Sequence, residues 1–314
     1  MAKYLLKRFS RAIITVFIIV SIVFILMRQL PLDGFLPNVD KMSQEQIKNS
    51  LALLGLDQPL PVQLARFWKQ LVLHGDLGTS YVYRNNVPAV EILAKKVPLS
   101  IKLGALSILV GLFVGLPMGI LMARNKNKLP DHIGTIFIVF FQAVPAAVYY
   151  LFIQLYGTEA FSLSLLFKQN QWQTWILPVF SLSLPNIIYY AMWIRRYTVD
   201  ESTKDYVQLA KIKGLSSRQI FYKHIFRNAF VPMVQYLPTS FLNTVVGSIY
   251  IESLYAVPGM GGLLIDVVKK QDNNMVQAIV MLFSIVGIIG LILGDLMMVA
   301  LDPRISFTGK EGRR

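Results

Sequence analysis

The chain has 314 residues, of which 54% are hydrophobic and only 15% are charged, and its mean hydropathy is +0.53. A soluble domain carries about 25% charged residues, so this composition excludes an ordinary soluble globular fold. The formal net charge of +14 would suit nucleic-acid binding, but the cations are not gathered into one binding groove. Cysteine is absent, which excludes disulfides and thiolate metal sites.

Six charge-poor runs divide the sequence, and each is about long enough to cross the hydrocarbon of a bilayer as a helix. Leu, Ile and Val fill these runs without a period of two, which disfavours a membrane β-barrel. The sequence therefore predicts an all-α integral membrane protein with six transmembrane helices. The six runs are Ala12–Met27, Leu103–Ala123, Ile133–Thr158, Gln169–Ile194, Asn228–Ile251 and Asn273–Gly294.

The distribution of charge sets the predicted orientation. With the N-terminus inside, the inner segments hold 19 of the 31 Lys and Arg residues and six acidic residues. This is the bias of the positive-inside rule, and it places both termini in the cytoplasm. The first run follows several cations, as in a signal peptide, but the residues after it offer no small-x-small cleavage site. We interpret it as a retained first span.

These features give a predicted division of the chain. A transmembrane helix over residues 1–30 precedes a large external segment over 31–97. A core of five helices over 98–301 contains a cytoplasmic loop at 195–231, between the fourth and fifth spans, and residues 302–314 form a cytoplasmic tail. In the external segment, Gln63–His74 has apolar residues at helical spacing. This predicts a helix that lies either on the outer surface or in the membrane interface.

The spans carry residues that would bend or pack helices. Four glycines recur in the second span (Gly104, Gly111, Gly115 and Gly119), which predicts close helix packing. Pro145, Pro178 and Pro185 can bend the third and fourth spans. Polar side chains that could line a route through the bundle are Gln142, Tyr149, Asn186, Tyr190 and Asn243, although such tyrosines are more often interface anchors. Asp295 is expected to face protein or water, with an Arg partner more expected than a transport role.

The predicted inner loop is unusually long and basic. Its cations are Arg195, Arg196, Lys204, Lys211, Lys213, Arg218, Lys223 and Arg227. The pattern predicts two short helices, the first capped by Ser202 or Thr203 and ended by a left-handed Gly214. Ser216 and Gln219 form a capping box for the second. We interpret this helix–Gly–helix elbow as a plug for a groove on another protein. The alternative is an amphipathic surface held by anionic lipid.

Further motifs carry a family resemblance. They are YVQLAKIKGL at Tyr206–Leu215, HxxRNAxxP at His224–Pro232, LGLDQPLPVQ at Leu54–Gln63, HGDLGTSY at His74–Tyr81, VPAVEIL at Val87–Leu93, GSIYIESLYAVPGMGGLL at Gly247–Leu264 and LDPRIS at Leu301–Ser306. The chain resembles the inner-membrane permease subunits of ABC importers, in the oligopeptide, dipeptide and nickel branch, B-type. It departs from the general E-A-A triplet at Gln208 and Leu209, and has LPLDG at Leu30–Gly34 where the family commonly has P-G-D-P.

The resemblance implies partners and roles. The chain would pair with a homologous second permease, two cytoplasmic ABC ATPases and an extracellular or periplasmic substrate-binding protein, in contact with membrane lipid and no nucleic acid. It would bind no cofactor or metal itself, because ATP and Mg²⁺ belong to the ATPases. Implied ATPase-coupling residues are Tyr206, Gln208, Leu209, Ala210, Lys213, Gly214, Leu215, His224, Arg227 and Asn228. An external gate or receptor-docking turn would comprise Glu252, Tyr255, Pro258, Gly259 and Gly261.

Two other classes of function were weighed. An ion-gradient transporter would show internal repeats and several acidic residues within spans, and neither feature is visible in the sequence. An enzyme is disfavoured, because the sequence contains no H-E-x-x-H or G-x-S-x-G motif and no phosphate-binding G-x-x-x-x-G-K-[ST] loop. The expected function is the membrane subunit of a peptide importer, with nickel or a metallophore as the alternative cargo. The sequence alone does not choose among these cargoes.

Overall fold

A computed structural model describes residues 2–31, 34–36 and 39–301 of the chain. The described part is almost entirely helical, as predicted. Its twelve α-helices are α1 Ala2–Met27, α2 Gln44–Leu54, α3 Leu60–His74, α4 Ala89–Arg124, α5 Leu129–Ala143, α6 Ala146–Ala160, α7 Gln173–Ser202, α8 Asp205–Ile212, α9 Ser217–Ile220, α10 Arg227–Leu254, α11 Met260–Lys269 and α12 Asn273–Leu301. A 3-10 turn (Val39–Lys41), a π-helix (Phe221–Phe226) and an antiparallel pair of two-residue strands, β1 Thr79–Ser80 and β2 Val87–Pro88, complete these elements.

Four helices in the described ranges, α1, α4, α7 and α12, are long and apolar enough to cross a membrane by length and composition. The pair α5–α6 adds a fifth if it counts as one broken span. The predicted fifth span corresponds to α10, which has 28 residues but is not among those helices. A membrane-spanning helical protein is therefore supported, and the number six stays a prediction.

The third predicted span is not one straight helix, and the predicted bend at Pro145 is confirmed. Its two halves, α5 and α6, meet at an angle of 105°. The break falls at Val144, whose backbone is extended (φ −85°, ψ 128°), and at Pro145, which precedes the first residue of α6. A proline disfavours the helical conformation of the residue before it, so the chain turns here. By contrast, α7 continues through Pro178 and Pro185.

The helix that contains the second predicted span begins within the predicted external segment. Helix α4 starts at Ala89 and runs through Pro98 to Arg124. The last nine residues assigned to the external segment are therefore helical and continuous with the span. A helix of 36 residues is longer than a bilayer requires, so the boundary at residue 97 stays a prediction.

The chain divides into two compact units. The N-terminal unit comprises Ala2–Ser100 and Pro258–Ile289, and the core unit comprises Ile101–Val257 and, at the end of the described chain, residues 290–301. The tail at 302–314, with its D-P-R sequence, lies outside the described residues, as does the side chain of Asp295. In the core unit, Arg195 binds Asp131 through Nε–Oδ1 (2.5 Å) and Nη2–Oδ2 (2.7 Å).

In the N-terminal unit, α3 lies along the first span. The Trp68 ring stacks on Phe17 at a centroid distance of 4.8 Å, and its Nε1 donates to Ser21 Oγ at 3.0 Å. Phe67 packs on Phe24 at 4.9 Å. Because Phe17 and Ser21 belong to the apolar part of α1, these contacts favour the membrane-interfacial alternative for this helix.

A second feature of the N-terminal unit is a carboxylate that sequence reasoning missed. Asp272 is fully buried just before α12, and its Oδ2 accepts hydrogen bonds from Ser80 Oγ (2.6 Å) and from the backbone N–H groups of Val82 (3.1 Å) and Tyr83 (2.9 Å). Its Oδ1 accepts from the Met275 N–H at 3.1 Å, which caps α12. One side chain thus joins the β1–β2 hairpin to the start of the last long helix.

In the core unit, three glycines of α4 press directly on α7. A Cβ at Gly115 would lie 2.7 Å from the Ile187 carbonyl oxygen, and one at Gly119 would lie 2.3 Å from that of Ala191. A Cβ at Gly111 would meet Asn186 Cβ at 2.6 Å. The predicted close packing is confirmed for these three positions, where no larger side chain fits.

Gly119→Ala is therefore expected to lower the stability of the core unit by about 1–3 kcal/mol, because the added methyl group overpacks against backbone that cannot retreat. Gly104→Ala is the matched control on the same helix. Its Cβ would lie 3.6 Å from Thr244 Cγ2, an ordinary contact. Thermal unfolding in detergent should separate the two variants, and equal melting temperatures would contradict the packing assignment.

Candidate functional site

The inner elbow, residues 205–226, is built from α8, the turn at Gly214, α9 and the π-helix. The predicted turn is confirmed: Gly214 has φ +75°, a conformation that favours glycine. The predicted capping box is also confirmed, with Gln219 N–H donating to Ser216 Oγ and Ser216 N–H donating to Gln219 Oε1. Local sequence signals are therefore sufficient to set the bend of the elbow.

The predicted caps of the first helix are wrong. Lys204 occupies the N-cap position of α8 and makes no side-chain cap bond. The hydroxyls of Ser202 and Thr203 instead donate to the carbonyls of Val199 and Asp200, at the end of α7. A hydroxyl can satisfy a carbonyl three residues back just as readily as a following N–H, and here it does so.

The inner face of the elbow is a small hydrophobic cluster. Its buried members are Val207, Ala210, Ile220, Phe221 and Ile225, and Ile120 of α4 packs against them. The guanidinium of Arg124 lies over the Phe221 ring at 5.4 Å. Phe221, Ile225 and Ala229 are all buried, and the cluster holds the elbow against α4.

The outer face of the elbow presents apolar side chains to the surroundings. Ile212 is 82% exposed, Tyr222 55% and Leu209 52%. The exposed cations around them are Lys211, Lys213, Arg218, Lys223 and Arg227. We call Leu209, Ile212 and Tyr222 the apolar knob. Sequence reasoning identified Leu209 but missed Ile212 and Tyr222. Ile212 lies two positions before Gly214, and an apolar residue so close to the end of a helix could have indicated an exposed apolar surface.

A hydrogen-bond network braces the elbow against the start of α10. Tyr206 donates its hydroxyl to Glu201, and Asn228 Nδ2 donates to the Tyr206 oxygen at 2.9 Å and to the His224 carbonyl at 3.0 Å. Burial and the hydrogen bond to the Glu201 carboxylate raise the pKa of Tyr206, so its hydroxyl remains a donor at neutral pH. The structure thus brings together three predicted coupling residues, Tyr206, His224 and Asn228, as a brace.

The other predicted coupling residues divide by exposure. Gln208, Lys213, Gly214, Leu215 and Arg227 lie on the outside of the elbow, as Leu209 does. Ala210 does not, because its side chain is only 4% exposed and belongs to the inner cluster. Ala210 is therefore a packing residue rather than a contact surface for a partner.

The residues predicted to form an external gate or receptor-docking turn after α10 are mostly buried in this chain, and the docking role stays a prediction. Tyr255 is buried, its hydroxyl hydrogen-bonds to Ser181 Oγ at 3.1 Å, and its carbonyl accepts from Phe167 N–H at 2.9 Å. Glu252, Gly259 and Gly261 are buried as well, and among the five predicted residues Pro258 alone is exposed. A region predicted as a loop is in fact helical, since α11 begins at Met260. The gating role stays a prediction.

The predicted polar route is not assembled within this chain. Asn186 is buried, where its Nδ2 donates to Thr244 Oγ1 at 3.1 Å, and Tyr190 is fully buried. Tyr149 is also buried, while Gln142 is exposed and donates to the Met192 sulfur at 3.6 Å. The side chain of Asn243 lies outside the described part of the structure. Among the four that are described, Gln142 alone reaches an open surface.

Comparison with known proteins decides the family. The profile of the binding-protein-dependent transport system inner membrane component matches residues 115–307, which is more than half of the chain. The N-terminal profile of the same membrane components matches residues 1–104. The chain belongs to this family.

Curated relatives cover the permease along its full length. It is 29% identical to the dipeptide transport system permease protein DppB of Lactococcus lactis subsp. cremoris, over 97% of this chain and 99% of that protein. It is 29% identical to DppB of Bacillus subtilis, over 99% and 100%. It is 32% identical to the glutathione transport system permease protein GsiC of Salmonella typhimurium, over 98% and 100%.

Solved structures support the fold. The permease aligns with a chain of an amino acid ABC transporter solved with histidines, with a TM-score of 0.53 and 14% identity, over 69% of this chain and 95% of that one. It aligns with a chain of the inward-facing MetNI methionine ABC transporter with a TM-score of 0.54 and 14% identity, over 68% and 97%. At this identity the likeness concerns the fold alone.

The family assignment gives the permease its class. It is a multi-pass component of the inner membrane and a transport subunit of ABC importers, related to the peptide permeases, and its family is not an enzyme family. The resemblance drawn from the motifs, and the predicted membrane location, are confirmed. The ion-gradient transporter and the intramembrane enzyme are set aside.

Proposed function

We propose that the permease forms half of the translocation path of a peptide importer and that cytoplasmic ABC ATPases drive it through the inner elbow. The observation that carries the proposal is the apolar knob of Leu209, Ile212 and Tyr222, exposed on a rigidly braced support. Exposed apolar side chains together with exposed cations on one short elbow suit an apolar cleft with an acidic rim on another protein. The elbow's own cluster and hydrogen bonds would transmit movement of such a cleft to α4 and α10.

The partners follow from this role. A homologous second permease completes the path, two ATPases bind ATP and Mg²⁺, and a substrate-binding protein delivers the cargo from outside. This chain itself binds no nucleotide. Coupling requires that the ATPases bind the inward-facing and outward-facing states of the permease with different affinities. A partner that binds both states equally does not shift the equilibrium between them.

The cargo is proposed to be a short peptide. The names of full-length relatives, which are dipeptide and glutathione permeases, support a peptide over a metal chelate. Uptake should therefore fail for defined peptides in a deletion strain and return with the wild-type gene. Loss of uptake with a catalytically dead ATPase supports the ATP-driven assembly. Rescue of growth under nickel limitation, with no peptide phenotype, would overturn the peptide cargo.

The proposed topology can be tested directly, because the chain has no native cysteine. Lys213→Cys and Asn85→Cys place single thiols at exposed positions on the elbow and near the external hairpin. A membrane-impermeant maleimide applied to intact cells should label only the Asn85 variant. After permeabilisation both variants should react, and the opposite pattern would show an inverted topology.

A further inference from the structure

The N-terminal unit contains a pocket of about 250 Å³ that the coupling role does not use. It lies between the end of α1, the hairpin of α2 and α3, and the start of α12, on the outer side in the proposed topology. Drug-sized ligands occupy pockets of about 300–1,000 Å³, so this one suits a smaller molecule. Its lining combines aromatic rings (Phe24, Phe35 and Phe67) with polar groups (Arg28, Gln63 and Gln277).

Arg28 places a buried cation in the pocket. Its guanidinium lies between two rings, 4.7 Å from the Phe24 centroid and 4.7 Å from the Phe35 centroid. Among the described residues, no hydrogen-bond acceptor is paired with its buried Nε and Nη1. Burial lowers the pKa of Arg28 to about 10, so the group still carries its charge at neutral pH. Buried donors without acceptors are costly, and an anion would satisfy them.

The same pocket also offers acceptors without donors. Gln277 is only 6% exposed, and its Oε1 is buried without a hydrogen-bond partner in the described structure. Gln63 Oε1 is in the same condition, while its Nε2 donates to the carbonyls of Leu56 and Gln58. A ligand that fills this pocket well would therefore bring N–H donors as well as an anionic group.

The remaining charges in the pocket leave it net positive. Arg66 adds a second guanidinium, and among the described lining residues Asp76 contributes the one carboxylate. The Oδ1 of Asp76 already accepts a hydrogen bond from the Gly78 N–H at 2.8 Å. Two cations against one anion favour a ligand that carries a carboxylate.

We propose that this pocket binds the free carboxylate end of an amino acid or dipeptide, with Arg28 pairing with the carboxylate and Gln277 and Gln63 accepting from its N–H groups. The aromatic rings would cover an apolar side chain of the ligand. The choice of ligand rests on the proposed peptide cargo. The pocket would hold peptide on the outer side of the permease, apart from the path between the two permease subunits.

The test uses the complete assembly in nanodiscs without the binding protein. Calorimetric titration with Ala–Phe should show saturable binding, and Arg28→Gln should weaken it by at least about tenfold, equivalent to 1.4 kcal/mol. Amidation of the peptide carboxylate should cause the same loss in wild type and no further loss in Arg28→Gln. Arg84→Gln, an exposed arginine of the same unit outside the pocket, is the matched control and should bind like wild type.

Folding is checked separately with Arg28→Met. Because it replaces a buried cation that lacks hydrogen-bond partners with an apolar side chain, this variant should unfold at the wild-type temperature or higher and still fail to bind Ala–Phe. Absence of binding to wild type, or unchanged binding in Arg28→Gln, would overturn the pocket. Association with the binding protein is measured in a separate assay. If Arg28→Gln lost that association while wild type bound no peptide, the proposal would also be overturned, because Arg28 would then pair with a carboxylate of the binding protein. Uptake of Ala–Phe by wild type, measured in parallel, tests the cargo proposal independently.

Discussion

Leu209→Asp and Ile212→Asp are each expected to abolish co-purification of the ATPases with the permease and to stop uptake. Both side chains are exposed in the apolar knob and make no contribution to the buried cluster beneath it. A carboxylate at the centre of an apolar interface is desolvated without a partner, so a loss of 2 kcal/mol or more is expected, roughly 30-fold in affinity. Pull-down of tagged permease from membranes, followed by ATPase activity and peptide uptake, measures the effect.

The control for this prediction is a chemically identical change elsewhere. Leu129, at the start of α5 and on the same side in the proposed topology, is 70% exposed. Leu129→Asp should retain the ATPases and uptake. If the two elbow variants co-purified ATPase at wild-type levels, or if Leu129→Asp failed equally, the knob would not be the docking surface. If lipid headgroups held the elbow instead, Leu209→Asp and Ile212→Asp would release the elbow from the membrane surface while the ATPases still co-purified.

The apolar knob gives a sharper test than Ala210 or Gly214 does. Ala210→Asp buries a charge in the elbow's own cluster, and Gly214→Pro demands a φ near −65° where the backbone has +75°. Both changes would disrupt the elbow itself. Loss of coupling in those variants would therefore not distinguish a missing contact from a misfolded support, whereas an exposed side chain such as Ile212 can be changed without disturbing the fold.

The sequence predicts the elbow well because its signals are local. The conformation of Gly214 and the capping box of Ser216 depend on neighbours within a few residues, and both are as expected. The sequence does not show which side of α8 is buried. Ala210 packs inward and Ile212 points outward because α4 approaches from one side, and no pattern inside the eight-residue helix records that approach.

The remaining differences also have long-range causes. The break between α5 and α6 occurs at Pro145, while α7 contains two prolines and remains one helix. Proline sets a local preference, and packing around the helix decides whether the chain bends. The sequence predicted a turn as far as Gly261, whereas α11 begins at Met260, and its residues Met260, Leu263 and Val267 are buried in one hydrophobic cluster. The sequence of α11 alone does not predict this burial, because residues from other helices cover these side chains.

The sequence does not reveal the role of Asp272, because its hydrogen-bond partner Ser80 is 192 positions away in the chain. Asp272→Asn keeps the shape of the side chain but replaces one acceptor oxygen with a donor. That NH₂ group would face the hydroxyl and N–H donors of the hairpin or the N–H at the start of α12. Each lost charged hydrogen bond costs about 1.5–3 kcal/mol, so we expect the N-terminal unit to lose about 3 kcal/mol of stability.

Asp266→Asn is the matched control for Asp272→Asn, because Asp266 lies six positions earlier in the same unit with an exposed side chain. Hydrogen exchange of the hairpin and of the first turns of α12 should rise in Asp272→Asn and remain at the wild-type level in Asp266→Asn. The elbow lies in the other unit and should keep its protection in both variants, which separates local loosening from global unfolding. Unchanged exchange at Val82 and Tyr83 in Asp272→Asn would show that the buried carboxylate does not hold the hairpin, because those N–H groups donate directly to it.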